Sequence, residues 1–139
     1  MTNKSQPVGH FEIPGDDMDR MKKFYQEAFN WKIQQLGDDY SNYVVVQTTD
    51  TDEQGMVRTP GTINGGFFKR TEDTLSQHPS VVVMVDDIKE ASEKITAAGG
   101  KVIGGKFKKG EPDDIPHVGL WSAVVDSEGN RISILQPKR

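Results

Sequence analysis

The feature that most limits what this chain can fold into is an internal repeat. Laid over itself at an offset of 70 residues, the sequence puts Asp16 over Asp86, Asp17 over Asp87, Met18 over Ile88, Met21 over Ala91, Tyr25 over Ile95, Ala28 over Ala98, Asn30 over Gly100 and Ile33 over Ile103. Few identities survive, yet helix cap, apolar stripe, helix stop and following strand stay in register. Each copy is a strand, a helix and three further strands. A sheet with one face under its helix leaves its other face uncovered, so two copies predict an α+β fold of two βαβββ modules whose sheets curve together around a cavity.

Local signals support each element. Val8 to Ile13 alternates as a strand should, Pro14-Gly15 stops it, and Asp16-Asp17 offers capping oxygens. Met18, Met21, Tyr25, Ala28 and Phe29 recur at helical spacing, and Asn30 suits the left-handed conformation that ends a helix. Strands are predicted over Trp31 to Gln35, Tyr43 to Thr48 and Ile63 to Lys69, with a turn over GDDYSN and a polar loop before the Gly65-Gly66 pair. Two glycines weaken a strand unless a bulge or a close-lying ligand requires bare backbone. The second copy predicts a strand over Ser80 to Val85 and a helix capped at Asp87, with Ile88, Ala91, Ile95 and Ala98 as its stripe and Gly99-Gly100 as its stop. Strands over Lys101 to Phe107, Leu120 to Asp126 and Arg131 to Gln136 follow, separated by the loop KKGEPDDIPHVG and the turn DSEGN.

With 139 residues the expectation is one domain, 1–139, built of a first module over 7–70 and a second over 79–137. A net charge of -4 and the acids that follow Lys106 to Lys109 argue against nucleic acid as a partner. There is no cysteine, which removes disulfides, thiolate metal sites and cysteine nucleophiles and fits a reducing cytoplasm. MTNKSQP lacks the apolar core of a signal peptide and no apolar run has bilayer length, so no membrane association is expected and the cytoplasm is the expected location.

HFEI, GDDMDRMKKFYQEAFNWKI, INGGFFK, VVVMVDDIKEASEKITAAGGKVI and VVDSEGNRISILQP, in this order, make the chain resemble the vicinal-oxygen-chelate superfamily. That group holds glyoxalases, bleomycin- and fosfomycin-resistance proteins and extradiol dioxygenases, and the likeness is strongest to small glyoxalase-like proteins with an HFEI opening. The turn departs from the usual pattern at Ser127, where proline is common. The resemblance implies a homodimer and a divalent cation held by cavity-facing side chains from the first and last strands of each module. His10 matches the first such position; Ser80 stands at its repeat partner, Ser133 where a glutamate is expected, and Gly65-Gly66 at the fourth strand.

A catalytic metal needs about three converging ligands. His10 and Glu12 share a strand face, and a third ligand would have to be His117, Asp113, Asp114 or Glu111. The missing partners favour a different use: no cofactor is expected, and His10 and Glu12 line a pocket for a small organic molecule. Alternation adds Ser80, Val82 and Met84, with Ser133 and Leu135, and Trp121 and Phe67 or Phe68 as walls. Val81, Val83 and Val85 are expected under the helix. The alternative is a metal-dependent lyase, isomerase or dioxygenase with a rebuilt ligand set of His10, Glu12 and His117. A metal-free enzyme with Glu12 as catalytic base, and an interaction scaffold with a vestigial cavity, complete the possibilities.

Overall fold

A computed structural model describes residues 4–35, 43–73 and 76–138. By contacts the chain divides into two compact units, the described parts of His10–Pro79 and those of Met1–Gly9 with Ser80–Arg139. The turn expected over GDDYSN lies outside the described residues except for what flanks it.

In the first unit the chain enters along β1 (Val8–Gly15) and turns into α1 (Met18–Phe29). Asp17 caps this helix in extended conformation, its carboxylate accepting the Arg20 N–H at 3.0 Å, and Asn30 closes it in the left-handed region with its own N–H on the Gln26 carbonyl. Behind α1 come β2 (Lys32–Gln35), β3 (Val44–Gln47) and β4 (Asn64–Lys69). Their order is β2-β3-β4-β1, antiparallel except for the parallel β4-β1 pair. Arg70 fastens the end of β4 to the start of α1, its guanidinium 2.8 Å from the Asp16 carboxylate.

The core of this unit is aromatic. Val44, Val46 and Phe67 are fully buried, with Phe11, Ile13, Met18, Met21, Tyr25, Trp31 and Ile33 packed around them. Tyr25 stacks on Trp31 with ring centres 4.7 Å apart and planes 8° apart, and lies 5.1 Å from Phe67. Such pairs add about 0.5–1.5 kcal/mol each beyond the area they bury. No α1 residue is fully buried, and Phe24 and Phe29 are mostly exposed. The helix therefore rests on the sheet through Met18, Met21 and Tyr25, a narrower contact than the five-residue stripe predicts.

The second unit repeats the plan with β5 (Ser80–Met84), α2 (Ile88–Ala97), β6 (Lys101–Gly104), β7 (Asp113–Ile115), β8 (Gly119–Val125) and β9 (Arg131–Pro137). The order is β5-β9-β8-β6, with β7 pairing the start of β8 while β6 pairs its end. The Asp87 carboxylate caps α2 through the Lys89 and Glu90 N–H groups, and the Gln136 side chain on β9 accepts the Ile88 N–H at 2.9 Å. An aliphatic cluster of Val85, Ile88, Val124 and Ile134 fills the space under the helix, joined by Val83, Ala91, Ile95, Val102, Leu120 and Ile132. Val81, expected there too, is exposed. The segment leading into β1, together with the first two residues of that strand, belongs with this unit: the Met84 N–H donates to the Pro7 carbonyl at 2.7 Å, and Gly9 lies so close to the Met84 side chain that a Cβ there would collide with it.

One strand is shorter than predicted. The expected run from Lys101 to Phe107 stops at Gly104, whose φ of 95° turns the chain back on itself. Gly110 then donates to the Ile103 carbonyl at 2.8 Å and Gly105 to that of Glu111 at 2.6 Å. The buried Asp113 braces this loop by accepting the Lys106 and Phe107 N–H groups at 2.8 and 3.3 Å.

Candidate functional site

On β1, Phe11 and Ile13 point under α1, so His10, Glu12 and Pro14 occupy the other face. Glu12 is only 2% exposed. Burial of a carboxylate demands donors. One comes from Tyr43, immediately before β3, whose phenol donates to Glu12 Oε2 at 3.3 Å. The glycine pair explains how it gets there. Glu12 stands beside Gly66 in the β1-β4 register, and a Cβ on Gly66 would fall on the Tyr43 ring and hydroxyl; on the opposite face a Cβ on Gly65 would strike the Phe11 ring 2.7 Å away. There is no bulge: the bare backbone of β4 accommodates the chain's own aromatic side chains. Next along the same face, Phe68 is buried beside Pro14.

Phe67 is therefore corrected as a pocket wall. It is 0% exposed, sits on the α1 side and packs against Tyr25; Phe68, one residue on, shares the face of Glu12. His10 is half-buried beside Asn64, and burial lowers its pKa from 6.5 by disfavouring the charged imidazolium. Asn64 accepts the Thr48 and Thr49 N–H groups at 2.8 and 3.1 Å and so fixes the end of β3 against β4.

In the second unit Val83, Ile132, Ile134, Leu120 and Val124 point under α2. The alternate positions Ser80, Val82 and Met84, Ser133 and Leu135, and Trp121 consequently share the opposite face. Val82 pairs with Ser133 and Ser133 with Ala123, while Met84, Leu135 and Trp121 form the neighbouring row. Arg131 also falls on this face: its Nη1 donates to Ser80 Oγ at 3.4 Å and its guanidinium carbon lies 5.6 Å from the centre of the Trp121 ring. Before it, the Asp126 carboxylate accepts the Glu128 and Asn130 N–H groups at 2.8 and 2.9 Å and the Asn130 side-chain amide at 3.0 Å; led by that last bond, these interactions lower its pKa from 3.8.

The residues present do not fit the metal centre that the resemblance implies. Beside His10, the matching positions carry Gly66, Ser80 and Ser133, none of them an imidazole or carboxylate. Among the described residues no three His, Asp or Glu side chains are grouped to hold a metal ion. His117 is exposed at a left-handed position, φ 68°, between β7 and β8. Asp113 braces its loop, Asp114 is exposed, and Glu111 pairs with Lys108 at 3.1 Å.

The model of the Glyoxalase/Bleomycin resistance protein/Dioxygenase superfamily matches residues 8–134. The chain belongs to this superfamily. A glyoxylase-like domain-containing protein of Didymella fabae is 28% identical over 129 residues, 91% of each chain. A Mycobacterium bovis relative is 36% identical over 73 residues, 52% of this chain and 26% of that one. Among solved structures, Streptomyces coelicolor methylmalonyl-CoA epimerase in complex with 2-nitronate-propionyl-CoA is similar with a TM-score of 0.68 and 13% identity, over 95% of this chain and 97% of that one. Mycobacterium tuberculosis methylmalonyl-CoA epimerase gives a TM-score of 0.64 at 12% identity, over 95% and 88%. At these identities the structures establish the fold, the α+β glyoxalase architecture that the repeat predicts. No helix among the described residues is long and apolar enough to cross a membrane.

Two participants escaped the sequence reading, Tyr43 and Arg131. Both were within reach of the period-two rule: Tyr43 alternates with Val45, away from the buried Val44 and Val46, and Arg131 alternates with Ser133 and Leu135. What the rule lacks is the reach of a long side chain across a neighbouring strand.

Proposed function

We propose that this superfamily member binds a small organic molecule at the sheet faces turned away from its helices, without the superfamily's full metal site. The observation that carries the reading is the Glu12-Tyr43 pair: a buried carboxylate held by a phenol laid across a side-chain-free strand position. An apolar side chain would fill that place with less desolvation cost, so a polar pair there supports a role in orienting a ligand. On the face of the first unit His10 and Phe68, the latter in place of Phe67, are the further lining residues; on the face of the second they are Ser80, Val82, Met84, Trp121, Ser133 and Leu135. A cytoplasmic homodimer is part of the same proposal. Thermal-shift screening against amphipathic aromatic compounds tests it: binders should raise the melting temperature, and Glu12→Gln should reorder their ranking. A broad library without a single stabilising compound refutes it.

A second reading takes Glu12 as a metal-free catalytic base, its carboxylate oriented by the Tyr43 phenol 3.3 Å away. Because two solved structures of this fold are methylmalonyl-CoA epimerases, that thioester is the first compound to test. Incubation in D2O should exchange the hydrogen between its two carbonyls faster than the uncatalysed rate, and Glu12→Gln should abolish the acceleration while circular dichroism stays native. Acceleration that survives Glu12→Gln removes Glu12 as the base. Metal-dependent catalysis requires bound Zn, Ni, Mn or Fe near one equivalent after chelator-free purification, which the donor set argues against.

A further inference from the structure

We infer that the exposed side of α1 is a self-complementary surface on which a second copy of this chain docks its own α1, antiparallel. The inference rests on the homodimer reading above and names the surface that carries it.

Two rings mark that surface. Phe24 and Phe29 are each 57% exposed, and they meet edge to face with centres 6.4 Å apart. The corresponding helix α2 exposes no large apolar side chain, although it covers its own sheet in the same way. A helix side open to water is an unfavourable place for two rings, and exposed apolar surface of this kind marks sites of association.

The charges around Phe24 specify the partner. One turn before it stands Arg20 and one turn after it Glu27, both exposed. At about 100° per residue these two lie on the same flank of Phe24, about 20° apart seen down the helix axis. Among the described residues neither side chain forms an ion pair. Along its exposed side α1 therefore presents a base, a ring and an acid in order, and such a pattern matches its own reverse. With a rise of about 1.5 Å per residue, the midpoint between Arg20 and Glu27 falls within about 1 Å of Phe24 along the axis. A two-fold axis at that point sets Phe24 against its own copy and brings each Arg20 to the Glu27 of the second copy, two ion pairs beside an apolar centre. The rest of the helix accepts this register. Met18 comes level with the second copy's Phe29, Asp19 with its Ala28, Lys22 with its Tyr25 and Lys23 with its Phe24, so no like charges meet.

Sedimentation of the full chain over a broad range of concentration tests this with two charge reversals, Arg20→Glu and Glu27→Arg. The native chain should dimerise. Each reversal alone sets like charges together twice in its own dimer and should associate at least about tenfold more weakly, as should Phe24→Ser at the centre. An equimolar mixture of the two reversals should form a heterodimer of native affinity, because each contact then joins one acid and one base. If the native chain dimerises and any of the single variants does so equally well, or if the mixture associates no better than its components, this interface is overturned and the homodimer stands on another surface. A native chain that is monomeric at every concentration overturns the interface and the homodimer together, while small-molecule binding is left to the library screen. Should a reversal lose its native circular dichroism, added salt on the native dimer decides. Dissociation that grows with ionic strength supports the pairing, and indifference to salt overturns it.

Discussion

In the first module Tyr43 lies across Gly66 to reach Glu12; in the second, Trp121 and Arg131 meet above Ser133. The registers make these places equivalent. Val44 pairs with Phe67 as Ser122 pairs with Ile134, so Tyr43 corresponds to Trp121; Glu12 pairs with Gly66 as Val82 pairs with Ser133. Both modules thus bring an aromatic side chain over a small residue on the last strand toward an ionisable group. The sign differs, an acid from the first strand in one and a base from the last strand in the other. The cores differ too, with one large aromatic residue central to the first and short aliphatic side chains sharing the second. One architecture therefore tolerates two chemistries on the sheet face turned away from its helix, and two ways of filling the space under that helix.

The largest test of that contrast concerns the cores. Phe67→Ala should cost about 3–5 kcal/mol in urea denaturation, because Tyr25, Val44 and Val46 close around a ring that nothing else can replace. Ile134→Val should cost about 0.5–1.5 kcal/mol, since the methyl groups of Val85, Val124 and Ile88 share its surroundings. Equal losses would mean that the two cores are filled in the same way after all.

Gly66→Ala comes next. Its added methyl meets the Tyr43 ring and hydroxyl, so Tyr43 must leave Glu12, at about 1–3 kcal/mol. The double variant with Tyr43→Ala should recover the steric part of that loss, a coupling visible in a double-mutant cycle. Ser133→Ala, the counterpart, should cost about 1 kcal/mol, as a hydroxyl is lost without a clash. Additivity of Gly66→Ala and Tyr43→Ala would show that the glycine has another purpose.

How far the sequence anticipates all this follows the physics of range. Both caps, the left-handed Asn30 and the two helices are local, set by residues within one turn of each other, and they stand where the sequence puts them. The face shared by Ser80, Val82 and Met84 follows from period two alone. Phe67 against Phe68 was open because the glycines before them hide the phase of the strand; only the register to β1 and β3 resolves it. The early stop at Gly104 depends on a turn whose partners, Gly110 and Glu111, come several residues later. Tyr43 on Glu12 joins residues 31 apart in sequence and Arg131 on Ser80 joins residues 51 apart. Such contacts are written in no window of the chain.

The smallest predicted effect separates the modules by titration. His10 and Ser80 are repeat partners, and only one of them changes charge near neutrality. Burial lowers the folded-state pKa of His10 below 6.5, so as pH falls the unfolded chain binds that proton first. Between the two values the unfolded state holds more protons than the folded state, and stability must fall with pH across this window. The contribution is fully present above 6.5 and levels off once the folded-state imidazole is also protonated. Substituting His10→Ser gives the first module the residue of the second and should remove this part of the pH dependence. The check is the urea midpoint of both chains from about pH 7.5 to about pH 5. The native midpoint, relative to that of the variant, should stay level at the upper end and decline through the window. Parallel curves throughout would show that His10 gains its proton as easily folded as unfolded, and that its place beside Asn64 is as accessible to water as an open chain.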